Sequence, residues 1–275
     1  MTVLLPVDLL LALGELLVVI VFSLVAIEAG ALDKGGFLAS VVVGYAIFLG
    51  GGWRWFVVIA SFFILGVGFT WFKYGYKKSI GSAQEKGGAR NWPNILANGG
   101  LAAVFGVTEL IFGGSVFAVA YVGAMSAAAS DTVATELGLL SKSAPRLITK
   151  LGSRVSPGTS GGVTAMGFSG ALLASVVIGG VAALLGVVDG ASAAEIVLIA
   201  LAGGVIGSIA DSVAGATIQR KSVCVVCGKP TESFFHCKTP TRRLTGLSRV
   251  DNNIVNLIAT VVGAAASLAL AAVLF

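Results

Sequence analysis

Eight stretches of this chain are apolar for long enough to cross a bilayer, and nearly every basic residue falls in alternate connections between them. A crossing helix needs about 20 mostly apolar residues. Such runs occupy residues 9–30, 36–52, 53–72, 93–112, 114–138, 160–188, 192–218 and 252–275. Tight turns at Gly50-Gly51-Gly52, Gly113-Gly114 and Asp189-Gly190 join three of the neighbouring pairs. The other connections are residues 73–92, 139–159 and 219–251, with a short one around Asp33-Lys34-Gly35-Gly36. Together they hold all of the 18 Lys and Arg residues except Arg54. The positive-inside rule makes this basic face cytoplasmic and puts both termini outside. Trp53, Trp55, Trp71 and Trp92 fall at span boundaries, where aromatic side chains anchor helices to the interface. The expected architecture is an all-α, polytopic membrane bundle of about eight transmembrane helices. It forms a single transmembrane domain over residues 1–275, with a cytoplasmic loop at 219–251.

Composition excludes a water-soluble globule. Only 11% of residues are charged and 56% are hydrophobic, against about a quarter charged in soluble domains. The 38 glycines suit close helix packing in lipid, where small residues let backbones approach. The first run lacks a basic leader segment, so it reads as a retained span, not a cleaved signal peptide. The net charge of +5 is confined to the loops, and no nucleic-acid partner is expected.

Acidic side chains near spans are costly and usually face a bundle interior or an aqueous cavity. Asp131 lies in A-S-D-T-V-A-T-E-L-G and Asp211 in I-A-D-S-V-A-G-A, so the two segments share D-[ST]-V-A. Both run toward the basic face on odd-numbered spans, which brings the carboxylates to similar depth. Paired carboxylates, with phosphate oxygens and water, suit Mg²⁺. Glu136 is five residues beyond Asp131 and would join from the adjoining helix face. Helix–helix hydrogen bonds or a loop ion pair are the structural alternative for all three.

Ser156-Pro157-Gly158-Thr159-Ser160-Gly161-Gly162-Val163-Thr164 precedes span six. Backbone N–H groups at such a helix start, together with the helix dipole, make an anion site. An ordinary turn with Thr159 or Ser160 as cap is the alternative. Arg146, Lys150 and Arg154 just upstream favour a phosphate. Lys86 and Arg90 are further phosphate candidates. Asn98 is a polar side chain some five residues into an apolar span, where an interhelical hydrogen bond is the alternative. Asn252 and Asn256 share one face of the last span, and capping by Asp251 or Asn252 leaves Asn256 unexplained.

The three cysteines share one loop, as Cys224-x₂-Cys227 followed by His236-Cys237. A Cys₃His zinc site is compatible with these residue types. The adjacency of His236 and Cys237 and the lack of a second C-x-x-C count against it, and the assignment stays open.

Taken together, A-S-D-T-V-A-T-E-L-G-L-L-S, P-R-L-I-T, P-G-T-S-G-G-V-T, D-N-N-I-V-N-L, L-A-N-G-G and the C-x-x-C-G-K loop resemble one family over residues 85–260. It is the family that contains plant phytyl-phosphate kinase and transmembrane protein nineteen, filed as domain of unknown function ninety-two. The resemblance implies a membrane kinase converting an isoprenyl (phytyl or geranylgeranyl) monophosphate to the diphosphate, with CTP or another nucleoside triphosphate and Mg²⁺. It also implies distant kinship with dolichol kinase and CDP-diacylglycerol synthase. Asp131 and Asp211 would then hold Mg²⁺. The phosphates would meet Lys86, Arg90, Arg146 and the Pro157–Gly158–Thr159–Ser160–Gly161–Gly162–Thr164 loop, with Asn98, Asn252 and Asn256 orienting the ligand. Many relatives carry Asn where this chain has Ser160. The expected location is a prokaryotic cell membrane with the active face cytoplasmic, and a homo-oligomer is compatible with the sequence. Two rival functions remain. One is a small-anion or lipid transporter, suggested by Glu15 and Glu28 in the first span. The other is a CTP-dependent lipid nucleotidyltransferase.

Overall fold

A computed structural model describes residues 9–274, and its architecture is the expected helical membrane bundle. The long helices are α1 (Leu9–Glu28), α2 (Lys34–Trp71), α4 (Trp92–Phe112), α5 (Ser115–Gly138), α6 (Ala165–Leu184), α7 (Ala193–Thr217) and α8 (Asn252–Leu274). A short α3 (Tyr74–Ser79) follows α2. These seven long helices are each long and apolar enough to cross a membrane. The second crosses twice. Gly52 takes φ 65° and ψ −168° inside α2, and the two arms double back. The rings of Phe48 and Phe56 approach to 5.3 Å, whereas eight residues of straight helix span about 12 Å. Eight crossings therefore stand among the described residues, and Phe275 at the end of the expected last span lies outside them.

The core is built around α5, which is buried without interruption from Ala118 to Ser130. Small residues allow this. A Cβ on Gly203 of α7 would lie 2.4 Å from Ser267 Oγ of α8 and 2.8 Å from Gly123 Cα of α5. The three backbones thus meet where lipid offers no hydrophobic drive, and contact replaces it. Buried hydroxyls add hydrogen bonds: Ser126 donates to the Ala200 carbonyl at 2.6 Å and Ser267 to that of Ile199 at 2.9 Å. By contrast α1 packs chiefly on α2 and exposes Leu10, Leu13, Leu17 and Val25, as a lipid-facing helix does.

Two details correct the sequence reading. Trp55 is not an interfacial anchor: it is buried, stacked on Tyr121 at 4.3 Å, and its carbonyl accepts from the Tyr121 hydroxyl at 2.6 Å. Trp53, Trp71 and Trp92 are exposed, as anchors should be. Span six starts at Ala165, five residues later than expected, because Thr164 is the cap and accepts from the Gly167 N–H at 2.9 Å. Gly162 and Val163 are drawn off into a small sheet. There β1 (Arg146–Leu147) lies between β2 (Lys150–Arg154) and β3 (Gly162–Val163). The 219–251 segment is also folded. In it β4 (Lys221–Val223) lies between β5 (Pro230–Thr231) and β8 (Arg242–Thr245), beside a hairpin of β6 (Phe235–His236) and β7 (Thr239–Pro240).

Candidate functional site

The odd arms of the bundle run toward the basic face, so α5 and α7 deliver the two D-[ST]-V-A segments side by side. Asp131 and Asp211 stand within side-chain hydrogen-bonding reach of one another. Both line a cavity of about 950 Å³ at that face. Adjacent carboxyls repel unless a proton or a cation lies between them. With its amide nitrogen turned toward α7, Asn256 donates to Asp211 Oδ2 at 3.1 Å and accepts from Asn98 Nδ2 at 3.2 Å. Asn98 Nδ2 also donates to the Asn94 carbonyl at 2.9 Å. An asparagine relay from α4 through α8 therefore fixes one of the two carboxylates. This gives Asn256 the purpose that capping did not supply; the cap of α8 is Asp251, whose Oδ1 accepts from the Ile254 N–H at 3.0 Å.

Asn98 itself lies outside the cavity wall and lines an apolar crevice between α1, α2 and α4. Phe22, Phe56, Phe62 and Phe63 line that crevice, and Arg90 and Asn94 line both the crevice and the cavity. The Arg90 guanidinium lies over the rings of Phe62 and Phe63, at 5.2 and 5.3 Å. Burial pulls its pKa down to about 10 against the opposing charge of Glu136, so it stays a cation at neutral pH. Its donors make no hydrogen bond within the described residues. Gly66 makes room for it: a Cβ there would sit 2.0 Å from Arg90 Nη2.

The glycine loop reaches the same cavity through Gly158–Thr164. Gly158 and Gly161 have φ of 81° and 79°, backbone that other residues rarely adopt. A Cβ on Gly161 would also meet Ala216 Cβ at 2.5 Å, so this loop must pack against the end of α7. Ser160 donates to Glu232 Oε1, Gln219 Nε2 donates to Glu232 Oε2 at 2.6 Å, and Lys221 Nζ reaches the Ser160 carbonyl at 3.3 Å. Pro157 is outside the wall; its carbonyl accepts from Ser82 at 3.1 Å and ties the loop to the 73–91 connection.

Glu136 lines the cavity, but its oxygens are already engaged. Oε2 meets Lys77 Nζ at 2.5 Å and Oε1 accepts from Thr70 at 3.2 Å. Lys77 Nζ also donates to the carbonyls of Phe69 and Thr70, at 2.6 and 3.3 Å, at the end of α2. The pair closes the C-terminal end of α2 against α5. Arg146 does not line the cavity; its Nη1 donates to the Leu151 carbonyl at 2.7 Å in its own hairpin. Lys86 stands at the cavity rim, paired with Asp33 at 3.1 Å. Asn252 lines the cavity beside Asn256, and Glu15 and Glu28 do not line it.

Two residues of this site are not evident in the sequence. Glu232 comes from the cysteine loop, 72 residues from Ser160. Burial raises its pKa to about 7, with Lys221 pulling the other way. Lys77 counts in the sequence as one more topogenic lysine, yet it is 1% exposed.

The cysteine loop brings its four donors together. One ligand atom from each of Cys224, Cys227, His236 and Cys237 lies within 4.8 Å of all the others. The Cys227 N–H lowers the Cys224 thiol to about 6, aided by that of Val226, while the neighbouring Cys227 thiol helps raise Cys237 to about 11.

Residues 17–264 match the model of the integral membrane protein family DUF92. The chain belongs to that family. It is 30% identical over 249 residues to the uncharacterized membrane protein MJ0933 of Methanocaldococcus jannaschii, covering 90% of each chain. It is 31% identical over 207 residues to Protein PGR of Arabidopsis thaliana, covering 66% of this chain and 69% of the relative. No solved structure matches it. The family read from the motifs is thus the family found.

Proposed function

We propose that this DUF92 protein is a membrane-embedded kinase that converts an isoprenyl monophosphate, such as phytyl or geranylgeranyl phosphate, to the diphosphate. The donor in this reading is CTP or another nucleoside triphosphate, and the basic face is the cytoplasmic side of a prokaryotic cell membrane. The observation that carries the proposal is the meeting of two unlike spaces at Arg90 and Asn94. One is a polar cavity with paired carboxylates and a glycine loop. The other is an apolar crevice of about 50 Å³ between α1, α2 and α4, which a hydrocarbon tail would enter by parting these helices. A phosphate head on a hydrocarbon tail matches that junction.

In the reaction an oxygen of the acceptor phosphate attacks the γ-phosphorus of the donor. The bond from that phosphorus to the β,γ-bridging oxygen breaks, and the nucleoside diphosphate leaves. Such transfer depends on positioning and charge neutralisation. Asp131 and Asp211 are hard oxygen donors that would hold Mg²⁺, whose charge would offset that of the phosphates. Arg90 holds the acceptor phosphate at the mouth of the crevice. The N–H groups of Gly158, Ser160 and Gly161 face the donor phosphates, those of Thr159 and Gly162 being held by the Ser156 and Thr159 carbonyls at 3.1 and 2.9 Å, while Asn256 holds Asp211 in place. Because the acceptor is already an ionised monoester near neutral pH, no dedicated strong base is needed. The sole histidine is accordingly outside the cavity lining.

The test is a transfer assay with purified protein in detergent, Mg²⁺ and γ-labelled CTP or ATP, using phytyl and geranylgeranyl monophosphates as acceptors. Label should appear in the prenyl diphosphate and fall at least about 100-fold in Asp131→Asn and Asp211→Asn. Wild-type activity in both variants would overturn the assignment. Release of pyrophosphate with a nucleotidyl lipid product would identify a nucleotidyltransferase instead.

A further inference from the structure

The 219–251 segment folds with almost no apolar interior. Among its described residues the buried side chains are Gln219, Arg220, Ser222, Cys224 and Thr241, while Val225, Val226, Phe235, Leu244 and Leu247 are all more than half exposed. Its strands are two to four residues long. Segments this small usually need a covalent or metal staple. The four convergent donors lie where such a staple belongs, between β4 and the β6–β7 hairpin.

The distances favour a metal. Tetrahedral zinc with Zn–S near 2.3 Å and Zn–N near 2.0 Å sets its ligand atoms roughly 3.5–3.8 Å apart. His236 Nδ1 lies 3.5 Å from Cys227 Sγ and 3.3 Å from Cys237 Sγ. The adjacency that counted against the site in the sequence is resolved by the backbone. Cys237 and Lys238 both adopt positive φ, 50° and 59°, in a turn that sends neighbouring side chains to one point. Gly228 supplies a positive φ of 70° on the other side, and its N–H donates to the Cys224 carbonyl at 3.0 Å. A disulfide accounts for less: it would use two of three sulfurs and leave a thiol and a ring nitrogen converging on nothing.

We propose that Cys224, Cys227, His236 and Cys237 bind a zinc ion, and that this metal clamps Glu232 and Lys221 onto the glycine loop at Ser160. The path is short. Cys224 directly follows β4, which carries Lys221; β4 pairs with β5 through Ser222 and Thr231, and Glu232 follows β5. Glu232 and Lys221 are the two side chains of this segment that hold Ser160. The zinc site stands independently of the kinase reading; only the consequence for phosphate binding rests on it.

The experiment uses the full-length protein in detergent. Metal content is measured by elemental mass spectrometry, and the site is then reloaded with Co²⁺. About one zinc per chain is expected, and Co²⁺ should give a thiolate charge-transfer band and tetrahedral d–d bands. Cys227→Ser and Cys237→Ser should each weaken metal affinity more than tenfold. Hydrogen exchange is followed in residues 156–164 of the wild-type chain before and after chelation, and should become faster on zinc removal. A metal-free chain, Co²⁺ spectra without thiolate bands, or full zinc content in both variants would overturn the site. Unchanged exchange in residues 156–164 would overturn the clamp. None of these readouts uses phosphoryl transfer. A zinc-loaded chain without kinase activity would sink the function and leave the site, and an active chain without zinc would do the reverse.

Discussion

Lys77 and Glu136 form a buried ion pair whose disruption should be asymmetric. Their side chains are 1% and 3% exposed and meet at 2.5 Å. At an effective dielectric of about 20 the attraction at that distance is roughly 7 kcal/mol, and desolvating two ions costs several kcal/mol each. The pair therefore contributes little net stability, although either ion alone is expensive. Lys77→Met strands the carboxylate beside Thr70, which supplies one hydroxyl donor. Glu136→Leu strands the ammonium, which keeps only the Phe69 and Thr70 carbonyls. Each single substitution should cost about 3–5 kcal/mol, and the double substitution less than either. Thermal unfolding in one detergent, on all four proteins, gives the coupling by a double-mutant cycle. Arg90 sharpens the forecast, since Glu136 also attracts its charge, and Glu136→Leu should be the worse single variant. If the double variant is as unstable as the sum of the singles, the pair is uncoupled and this account of the α2–α5 closure fails.

Three further outcomes are expected. Gly203→Ala should lose about 1–3 kcal/mol in detergent unfolding, because the new methyl meets the Gly123 backbone at 2.8 Å and the Gly263 carbonyl at 2.9 Å; an unchanged melting temperature would refute the close α5–α7–α8 contact. Glu232 has a folded pKa of about 7 against an ordinary 4.5. The stability held by its neutral form is complete below pH about 4.5 and lost as pH rises toward 7, by about 3 kcal/mol. Melting temperatures of Glu232→Gln should show a flatter profile than wild type over that window, and identical slopes would contradict the assignment. Asn256→Leu removes the donor to Asp211 and should cost about 1–3 kcal/mol, with weaker Mg²⁺ binding by calorimetry; unaltered stability and binding would remove the relay.

The spans were legible because hydropathy and loop charge act locally, and D-[ST]-V-A was legible because a repeated tetrapeptide on parallel helices must recur at similar depth. The doubling-back of α2 was legible in Gly50-Gly51-Gly52, where Gly52 takes the positive φ. What escaped depends on distant chain. Thr164 caps α6 because Gly162 and Val163 pair with Arg146 and Leu147, and two-residue strands leave no periodic signal. Arg146 turns its Nη1 onto the Leu151 carbonyl of its own hairpin for the same reason. Trp55 looks like an interfacial anchor until Tyr121, 66 residues away, stacks on it. Lys77 and Glu232 are ordinary loop charges in sequence. Only the fold shows that one is buried against Glu136 and the other is joined to Ser160.

The same geometry weighs against the transporter. A transport site near the bilayer midplane commonly uses broken helices and needs a path to each side. Here the polar groups gather at one end of α5 and α7, and the rest of α5 toward the other face is buried from Ala118 to Ser130. Along that length Gly123, Gly203 and Gly263 bring three backbones into contact, and a Cβ on Gly204 would meet the hydroxyls of Ser175, Ser126 and Ser130 at 2.1, 2.5 and 2.6 Å. The acidic residues that suggested a path, Glu15 and Glu28, belong to α1, which packs chiefly on α2 at the edge of the bundle. The apolar crevice at Arg90 lies to the side of the cavity, between α1, α2 and α4, and does not continue the cavity toward the other face. Proteoliposomes loaded with labelled phosphate should therefore retain it at the rate of protein-free vesicles. Release that depends on Asp131 and Asp211 would restore transport as the function.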